Sequence, residues 1–297
     1  MAGVTDFIGN TPLVKLAKLN PNPNVAVYAK LEGNNPGGSV KDRAAHNMIR
    51  SAIERGDINE GTKLVEATSG NTGIALAMIA RLYNLDIELV MPANSTRERT
   101  LTMEAYGAKV TLLENIEVCR DYAEEKGATA GYFLLNQFAN TDNYMAHYKT
   151  TGPELWRDTQ GKITHFVSAM GTTGTIMGCS KYLKEKNSDI QIVGCQPTEG
   201  SSIPGIRRWP EAYLPKIFNP ASVDRIMDID EAVAVDMTRQ LAKVEGIFAG
   251  MSSGGACSAA IKLAQELDSG TIVFIACDRG DRYLSSGLFG DVPDTNI

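Results

Sequence analysis

Histidine and cysteine are scarce in this chain, with three and five among 297 residues. His46, His147 and His165 are far apart, and no H-E-x-x-H is present. Cys119, Cys179, Cys195, Cys257 and Cys277 form no C-x-x-C pair. Metal ligands of recognisable spacing are therefore missing, and no metal is expected. An odd, scattered set of thiols is the pattern of a reduced, cytoplasmic protein. Basic charge is also in short supply. Lys and Arg total 29 against 35 Asp and Glu, a net charge of −6, which excludes a broad face for nucleic acid. Long hydrophobic runs are lacking. The stretch Ile74–Ala80 is far shorter than the ~18 residues of a membrane span, so no membrane partner is expected. The opening Met-Ala-Gly-Val-Thr-Asp has neither the basic nor the apolar region of a signal peptide, and none is expected. Repeats and low-complexity tracts are absent.

What is present is ordinary globular composition, 43% hydrophobic and 22% charged. At about 150 residues per domain the length suggests two domains. Short β-branched runs alternate with helical patterns. Strands are expected at Val25–Leu31, Lys63–Ala67, Ile87–Met91, Lys109–Leu113, His165–Ala169, Ile190–Cys195 and Thr271–Ala276. Helices are expected at Gly73–Leu82, Thr96–Ala105, Thr175–Lys186 and Ala256–Leu267. That alternation implies an α/β fold with parallel sheets flanked by helices, and a ligand site where strands end at their carboxyl side. Tyr144–Pro153 lacks clear periodicity and is expected to join the halves. Gly200–Pro215 is a long loop rich in Pro, Gly, Arg and Trp, either functional or merely irregular surface.

Three glycine-rich turns are expected to join strand to helix: Thr68–Gly73, Gly171–Thr175 and Ser252–Gly255. Each would present backbone N–H groups at the positive end of a helix, which suits anions. Singly, each could do no more than close a connection. The Thr-rich middle turn is the best phosphate cradle, yet it has no Walker lysine and is not G-x-G-x-x-G. Gly250-Met-Ser252-Ser-Gly254 matches the G-x-S-x-G of hydrolases, but that template needs a histidine after the serine and all three precede it. Lys41 is the odd residue. It follows Asn35-Pro-Gly-Gly-Ser39-Val and opens a helical pattern through Ala44, Ala45, Met48 and Ile49. A helix start disfavours a cation by about 0.3–1 kcal/mol. It is either a surface lysine paired with Asp42 or an amine made nucleophilic in a cleft. With a phosphate cradle elsewhere, the carbonyl it would attack is the aldehyde of pyridoxal phosphate.

Asn35-Pro-Gly-Gly-Ser-Val-Lys41-Asp-Arg resembles the cofactor-lysine segment of the cysteine synthase family, among the fold type II pyridoxal-phosphate enzymes. Glu66-Ala-Thr-Ser-Gly-Asn71-Thr-Gly resembles its substrate-carboxylate loop, Met170-Gly-Thr-Thr-Gly-Thr175 its phosphate loop, and Ser252-Ser-Gly-Gly the turn facing the pyridine nitrogen. Ile8-Gly-Asn-Thr-Pro-Leu-Val14 also fits. Ser202-Ile-Pro-Gly-Ile-Arg207-Arg208-Trp209-Pro, Cys277-Asp-Arg-Gly-Asp-Arg282-Tyr-Leu and Gln137-Phe are similar to its B-type branch. Gly37 and Ala249 depart from the family's pattern.

The resemblance implies two domains, each a mostly parallel twisted sheet with flanking helices, and the cofactor in the cleft between them. The smaller, mobile one would span 35–146, and the larger 1–34 and 147–297. Lys41 would carry the cofactor covalently and act as base. Asn71 would meet the ring hydroxyl oxygen, and Gly171, Thr172, Thr173, Gly174 and Thr175 the phosphate. Ser252, or else Ser253, would meet the pyridine nitrogen. Thr68, Ser69, Thr72 and Gln137 would grip the substrate carboxylate. Arg207, Arg208 and Cys277 would admit an anionic sulfur donor. The implied reaction is β-replacement on O-acetyl-L-serine by sulfide or thiosulfate, giving L-cysteine or S-sulfocysteine, in a homodimer. Related alternatives are cystathionine β-synthase, serine or threonine dehydratase and O-phosphoserine sulfhydrylase.

Overall fold

Two sheets organise the computed structural model, which describes residues 2–68 and 70–290. The chain runs β1 (Leu13–Lys15), β2 (Val25–Leu31), α1 (Lys41–Arg55), β3 (Lys63–Ala67), α2 (Asn71–Leu82), β4 (Asp86–Pro92), α3 (Arg97–Ala105), β5 (Lys109–Leu113), α4 (Ile116–Gly127) and β6 (Tyr132–Leu134). It continues through α5 (Thr141–Lys149), α6 (Thr151–Asp158), β7 (His165–Ala169), α7 (Gly174–Lys186), β8 (Gln191–Pro197), β9 (Arg225–Ile229), α8 (Glu231–Gln240), α9 (Met251–Glu266) and β10 (Gly270–Ala276). Four parallel strands form the small sheet in the order β5-β4-β3-β6. The large sheet has the order β1-β2-β10-β7-β8-β9, parallel except for the β1–β2 pair. This is the α/β architecture that the alternation of strand and helix implies.

Apolar runs explain the central strands. In β10, Ile272 to Ala276 are all buried, because helices cover both faces. The same holds for α2, whose Ile74 to Ala80 are buried around the helix. In α1 the buried Ala44, Ala45, Met48, Ile49 and Ala52 form the expected stripe. The helix ends at Gly56, whose φ of +80° supplies a left-handed cap to the Ala52 and Ile53 carbonyls.

Three strands escape sequence reasoning. β1 and β6 have only three residues each, and β9 buries only Met227 and Ile229. All three lie at sheet edges, where one side of the pairing is missing. Tyr144–Pro153 is not irregular but spans the end of α5 and the start of α6, which meet at Thr150. The buried face of α5 carries Asn143, Ala146 and His147; two polar residues there hide the helical period. The third glycine turn is also corrected. Ser252–Gly255 already lie within α9, which begins at Met251. A Cβ on Gly254 would stand 2.1 Å from Thr238 Oγ1 and 2.4 Å from the Ala234 carbonyl oxygen. The glycine permits α8 and α9 to pack closely and does not shape a turn. No helix among the described residues is long and apolar enough to cross a membrane.

Candidate active site

A cavity of about 300 Å³ opens where strands of both sheets end. Residues after β3 (Gly70), β4 (Asn94, Ser95) and β6 (Gln137, Phe138) line one side; those after β7 (Gly171, Thr172), β8 (Ser202, Pro204, Gly205, Arg207, Trp209) and β10 (Cys277) line the other. The site therefore lies at the carboxyl ends of parallel strands, as open α/β sheets favour.

Lys41 lines this cavity as the first residue of α1. Ser39 Oγ accepts its backbone N–H at 3.2 Å, and the Val40 N–H donates to the Cys277 carbonyl at 2.8 Å. The lysine turn is thus pinned to the end of β10. Its presumed surface partner, Asp42, is buried instead and accepts the Gly37 N–H. Burial raises the Asp42 carboxyl to about 7, against the lowering effect of that hydrogen bond. A Cβ on Gly37 would stand 2.6 Å from Asp42 Oδ1. No carboxylate among the described residues lies within 4.0 Å of the Lys41 ammonium.

On the opposite wall, α7 starts at Gly174 without a side-chain cap, so its first backbone N–H groups lack helical partners. Thr173, at φ +70°, has a buried hydroxyl without a partner among the described residues. An uncapped helix start and an orphaned hydroxyl together form an anion cradle. Gly171, Thr172 and Thr175 line the cavity, whereas Thr173 and Gly174 stand behind them. Gly174 sits against Asn143, leaving no space for a side chain. Thr172 Oγ1 accepts from Asn143 at 3.1 Å, and Thr175 Oγ1 lies 3.4 Å from His147 Nε2.

Asn71, at the start of α2, lines the cavity between these walls. Its Nδ2 donates to Asp278 Oδ2 at 2.6 Å, and its Oδ1 accepts from Arg282. The Tyr283 hydroxyl donates to the same Asp278 oxygen at 2.6 Å. These contacts fix which end of the amide carries hydrogens. Thr72 donates to Gln137 Oε1 at 2.8 Å, and Gln137 Nε2 donates to the Ala67 carbonyl at 2.6 Å. Thr68 is not in the lining: its hydroxyl accepts from the Gly70 and Gly73 N–H groups at 3.1 and 3.0 Å, closing the loop from behind. Ser69 lies outside the described residues.

Ser252 lines the cavity, while Ser253 Oγ accepts the Cys277 N–H at 2.9 Å and faces away from it. Burial pushes the Cys277 thiol up to about 11, against the lowering effect of Lys41. Arg207 also lines the cavity, and burial lowers its pKa from the ordinary value. Arg208 is not brought there. Its Nη2 pairs with Asp228 at 2.6 Å and its Nε donates to the Pro197 carbonyl at 2.9 Å. Successive residues of this extended segment point apart, and β9 offers Arg208 a carboxylate. The hydrolase motif dissolves as well, since Ser252 is helical and its surroundings hold no histidine among the cavity residues. The histidines are satisfied side chains: His147 Nδ1 meets Thr151 at 2.9 Å, and burial lowers its pKa to about 3.

Arg99, Asn94, Ser95 and Tyr283 line the cavity without having been singled out. Arg99 lies over the Tyr283 ring at 5.2 Å, a pairing across 184 residues that no local pattern reveals. Glu66 is a further surprise. It is fully buried at the end of β3, accepts the Gln137 N–H at 3.4 Å, and has one oxygen unpartnered among the described residues. Burial raises its carboxyl from 4.5 to about 8. A raised acid contributes stability below its unfolded value that is lost as pH climbs through the folded one. Glu66→Gln should therefore stabilise the fold above pH 8 by more than about 1 kcal/mol, the gain fading towards pH 4.5. Urea titrations at both pH values check this, and a gain independent of pH would refute it.

A cavity that collects an amine, an anion cradle, an amide and a hydroxyl on different walls fits pyridoxal phosphate, whose aldehyde, phosphate, ring oxygen and ring nitrogen need those four groups. A family model described as pyridoxal-phosphate dependent enzyme matches residues 4–278. The chain belongs to that family. Cysteine synthase B of Pseudomonas aeruginosa is 56% identical over 289 residues, covering 96% of this enzyme and 97% of that one. Among solved structures, cysteine synthase from Entamoeba histolytica superposes with a TM-score of 0.91 at 36% identity, covering 100% of this enzyme and 93% of that chain. The O-acetylserine dependent cystathionine β-synthase from Helicobacter pylori gives 0.90 at 36% identity, with 97% and 99% covered. The pyridoxal-phosphate enzyme thus has relatives that share both its sequence and its whole architecture.

Proposed function

We propose that this enzyme is a cysteine synthase. It replaces the acetoxy group of O-acetyl-L-serine with sulfur from sulfide, releasing L-cysteine and acetate. The observation that carries this reading is the convergence of Lys41, the α7 start and the Thr72–Gln137 pair on one cavity. Pyridoxal phosphate, when bound, supplies an electrophilic aldehyde and an electron-withdrawing ring that acidify an amino acid's α-carbon.

Lys41 would hold the cofactor covalently. Gly171, Thr172 and Thr175, with the N–H groups of Thr173 and Gly174, would hold its phosphate. Asn71 donates one amide hydrogen to Asp278 and keeps the other for the ring oxygen. Ser252 would meet the ring nitrogen. A neutral hydroxyl does not hold a proton there as a carboxylate would, which suits elimination of a β-substituent. Thr72, Gln137 and the Thr68–Ser69 loop would bind the substrate carboxylate and orient the Cα–H bond towards Lys41. Displaced from the cofactor by the substrate's own amine, Lys41 Nζ would be free to take the α-proton as the Cβ–O bond breaks and acetate leaves. After sulfide attacks Cβ, the same amine would return the proton to Cα. Clamping the carboxylate would draw the smaller domain, 35–146, over the larger, 1–34 and 147–297, and exclude water.

Arg207 extends the reading to thiosulfate, with S-sulfocysteine as product. A half-buried guanidinium with no ion pair among the described residues matches an oxyanion. Arg207→Ala should raise the KM for thiosulfate at least about tenfold more than that for sulfide, the loss of one charge-assisted contact. Equal rises would sink this role. Cys277 stands beside that path as a neutral thiol. The reading also carries a cytoplasmic location, supported by five free thiols, and a homodimer, which sedimentation would test. Assay of the purified enzyme with O-acetyl-L-serine and sulfide tests the whole; absence of L-cysteine among the products refutes it.

A further inference from the structure

One guanidinium near the cavity is boxed by three aromatic rings. Arg120 on α4 has its Cζ 4.3 Å from the Phe138 ring centre, 5.1 Å from that of Tyr213 and 5.5 Å from that of Trp209. Its Nη1–H donates to the Tyr213 carbonyl at 2.8 Å. Phe138 and Trp209 meet edge to face with centres 5.4 Å apart. No carboxylate among the described residues pairs with Arg120, so its ordered partners are the rings and one carbonyl. Such a planar cation can stack and donate a hydrogen bond at the same time, which an ammonium does poorly.

The box joins segments that are otherwise separate. Arg120 rides on the helix that covers the small sheet, whereas Tyr213 and Trp209 belong to the Gly200–Pro215 loop that leaves β8 of the large sheet. Trp209 packs against the small-sheet core cluster that contains Val65, Val90 and Cys119. Its Nε1–H donates to the Gly171 carbonyl at 2.8 Å, reaching the phosphate cradle from the other side. Beyond a single 3-10 turn at Glu211–Tyr213, this loop has little regular structure of its own. Its position is set by what it touches. Arg207 lies two residues before Trp209 and faces the cavity.

We propose that Arg120 is a positioning residue that determines donor specificity: it seats the loop so that Arg207 faces the cavity, favouring an oxyanionic sulfur donor over sulfide. The proposal rests on the reading of Arg207 as the donor's anchor. Because the box spans both sheets, any approach of the small-sheet body towards the large one carries the loop with it. Donor recognition is thereby tied to closure.

The test uses holoenzyme in a Trp156→Phe background, which leaves Trp209 as the one tryptophan of the two. Arg120→Ala should at least about double acrylamide quenching of Trp209 and raise the KM for thiosulfate at least about fivefold more than that for sulfide. Arg120→Lys should recover part of both, since a cation remains. Tyr213→Leu, which removes one ring, should shift both in the same direction by less, and serves if Arg120→Ala does not fold. Unchanged quenching overturns the clasp. Increased quenching with parallel rises in both KM values overturns the specificity role and leaves a merely structural contact. An unmodified enzyme that does not use thiosulfate removes the Arg207 reading and this role together, before any Arg120 variant is made.

Discussion

Lys41→Ala will lose turnover by at least about three orders of magnitude if, as proposed, one amine both holds the cofactor and moves the α-proton. The effect should be chemical, not structural. Lys41 is half-buried at a helix start, its backbone N–H bond to Ser39 survives the substitution, and the side chain takes part in no ion pair among the described residues. Folding monitored by circular dichroism should therefore match the parent protein. Lys41→Arg should fail equally, since a guanidinium remains protonated and cannot act as a nucleophile at neutral pH. Borohydride reduction followed by peptide mapping should place the pyridoxyl label on residue 41 of the parent and on no residue of the variant. Near-normal turnover in Lys41→Ala, or a label elsewhere in the parent, would remove the basis of the proposed reaction.

Lys41 and Gly171–Thr175 are legible in the sequence because each breaks a local rule. A cation at a helix start and a run of Thr and Gly before an apolar helix announce themselves without knowledge of distant partners. The strands of both sheet centres are legible for a similar reason: β10 is apolar on both faces, and β4 carries the buried run of Leu89, Val90 and Met91. What depends on partners far along the chain is hidden. Asn71 meets Asp278 across 207 residues, and Val40 meets Cys277 across the gap between the first helix and the last strand. The difference between Arg207 and Arg208 is hidden too. Both belong to one motif, and it is Asp228 on β9 and the Pro197 carbonyl that hold the second away from the cavity. Polar residues on buried faces mislead most. Asn143 and His147 conceal a helix, and Gly254 reads as a turn where it is a packing contact.

The buried ion network under Lys41 is the extreme of that kind, and its disruption should be the most damaging change to stability. Arg43 donates to both oxygens of Glu32 at 2.7 and 2.8 Å and to both oxygens of Glu154 at 2.6 and 2.8 Å. Lys30 meets Glu154 at 2.9 Å and Asp158 at 3.0 Å. Thr11 and Asn35 complete the shell of Glu32 at 2.6 and 2.9 Å. The network ties the N-terminal segment, β2, α1 and α6 together, and Arg43 lies two residues along α1 from Lys41. Arg43→Ala leaves two carboxylates buried without their main partner, which should cost about 3–5 kcal/mol at pH 7. Replacing Arg43, Glu32 and Glu154 together by apolar residues of similar volume should cost much less, because Lys30 keeps Asp158 and no buried charge is left without a partner. Burial would raise Glu154, but the hydrogen bonds and charge of Arg43 outweigh it and hold the carboxyl at about 2. A depressed acid contributes stability above its unfolded value of 4.5, lost as pH falls towards 2. The gap between the parent and Arg43→Ala should accordingly narrow on acidification from pH 7 to 4, as the stranded carboxylates take up protons. Urea unfolding at both pH values measures this; a gap below about 1 kcal/mol at pH 7, or one that widens in acid, would show that the network does not hold the fold as its geometry implies.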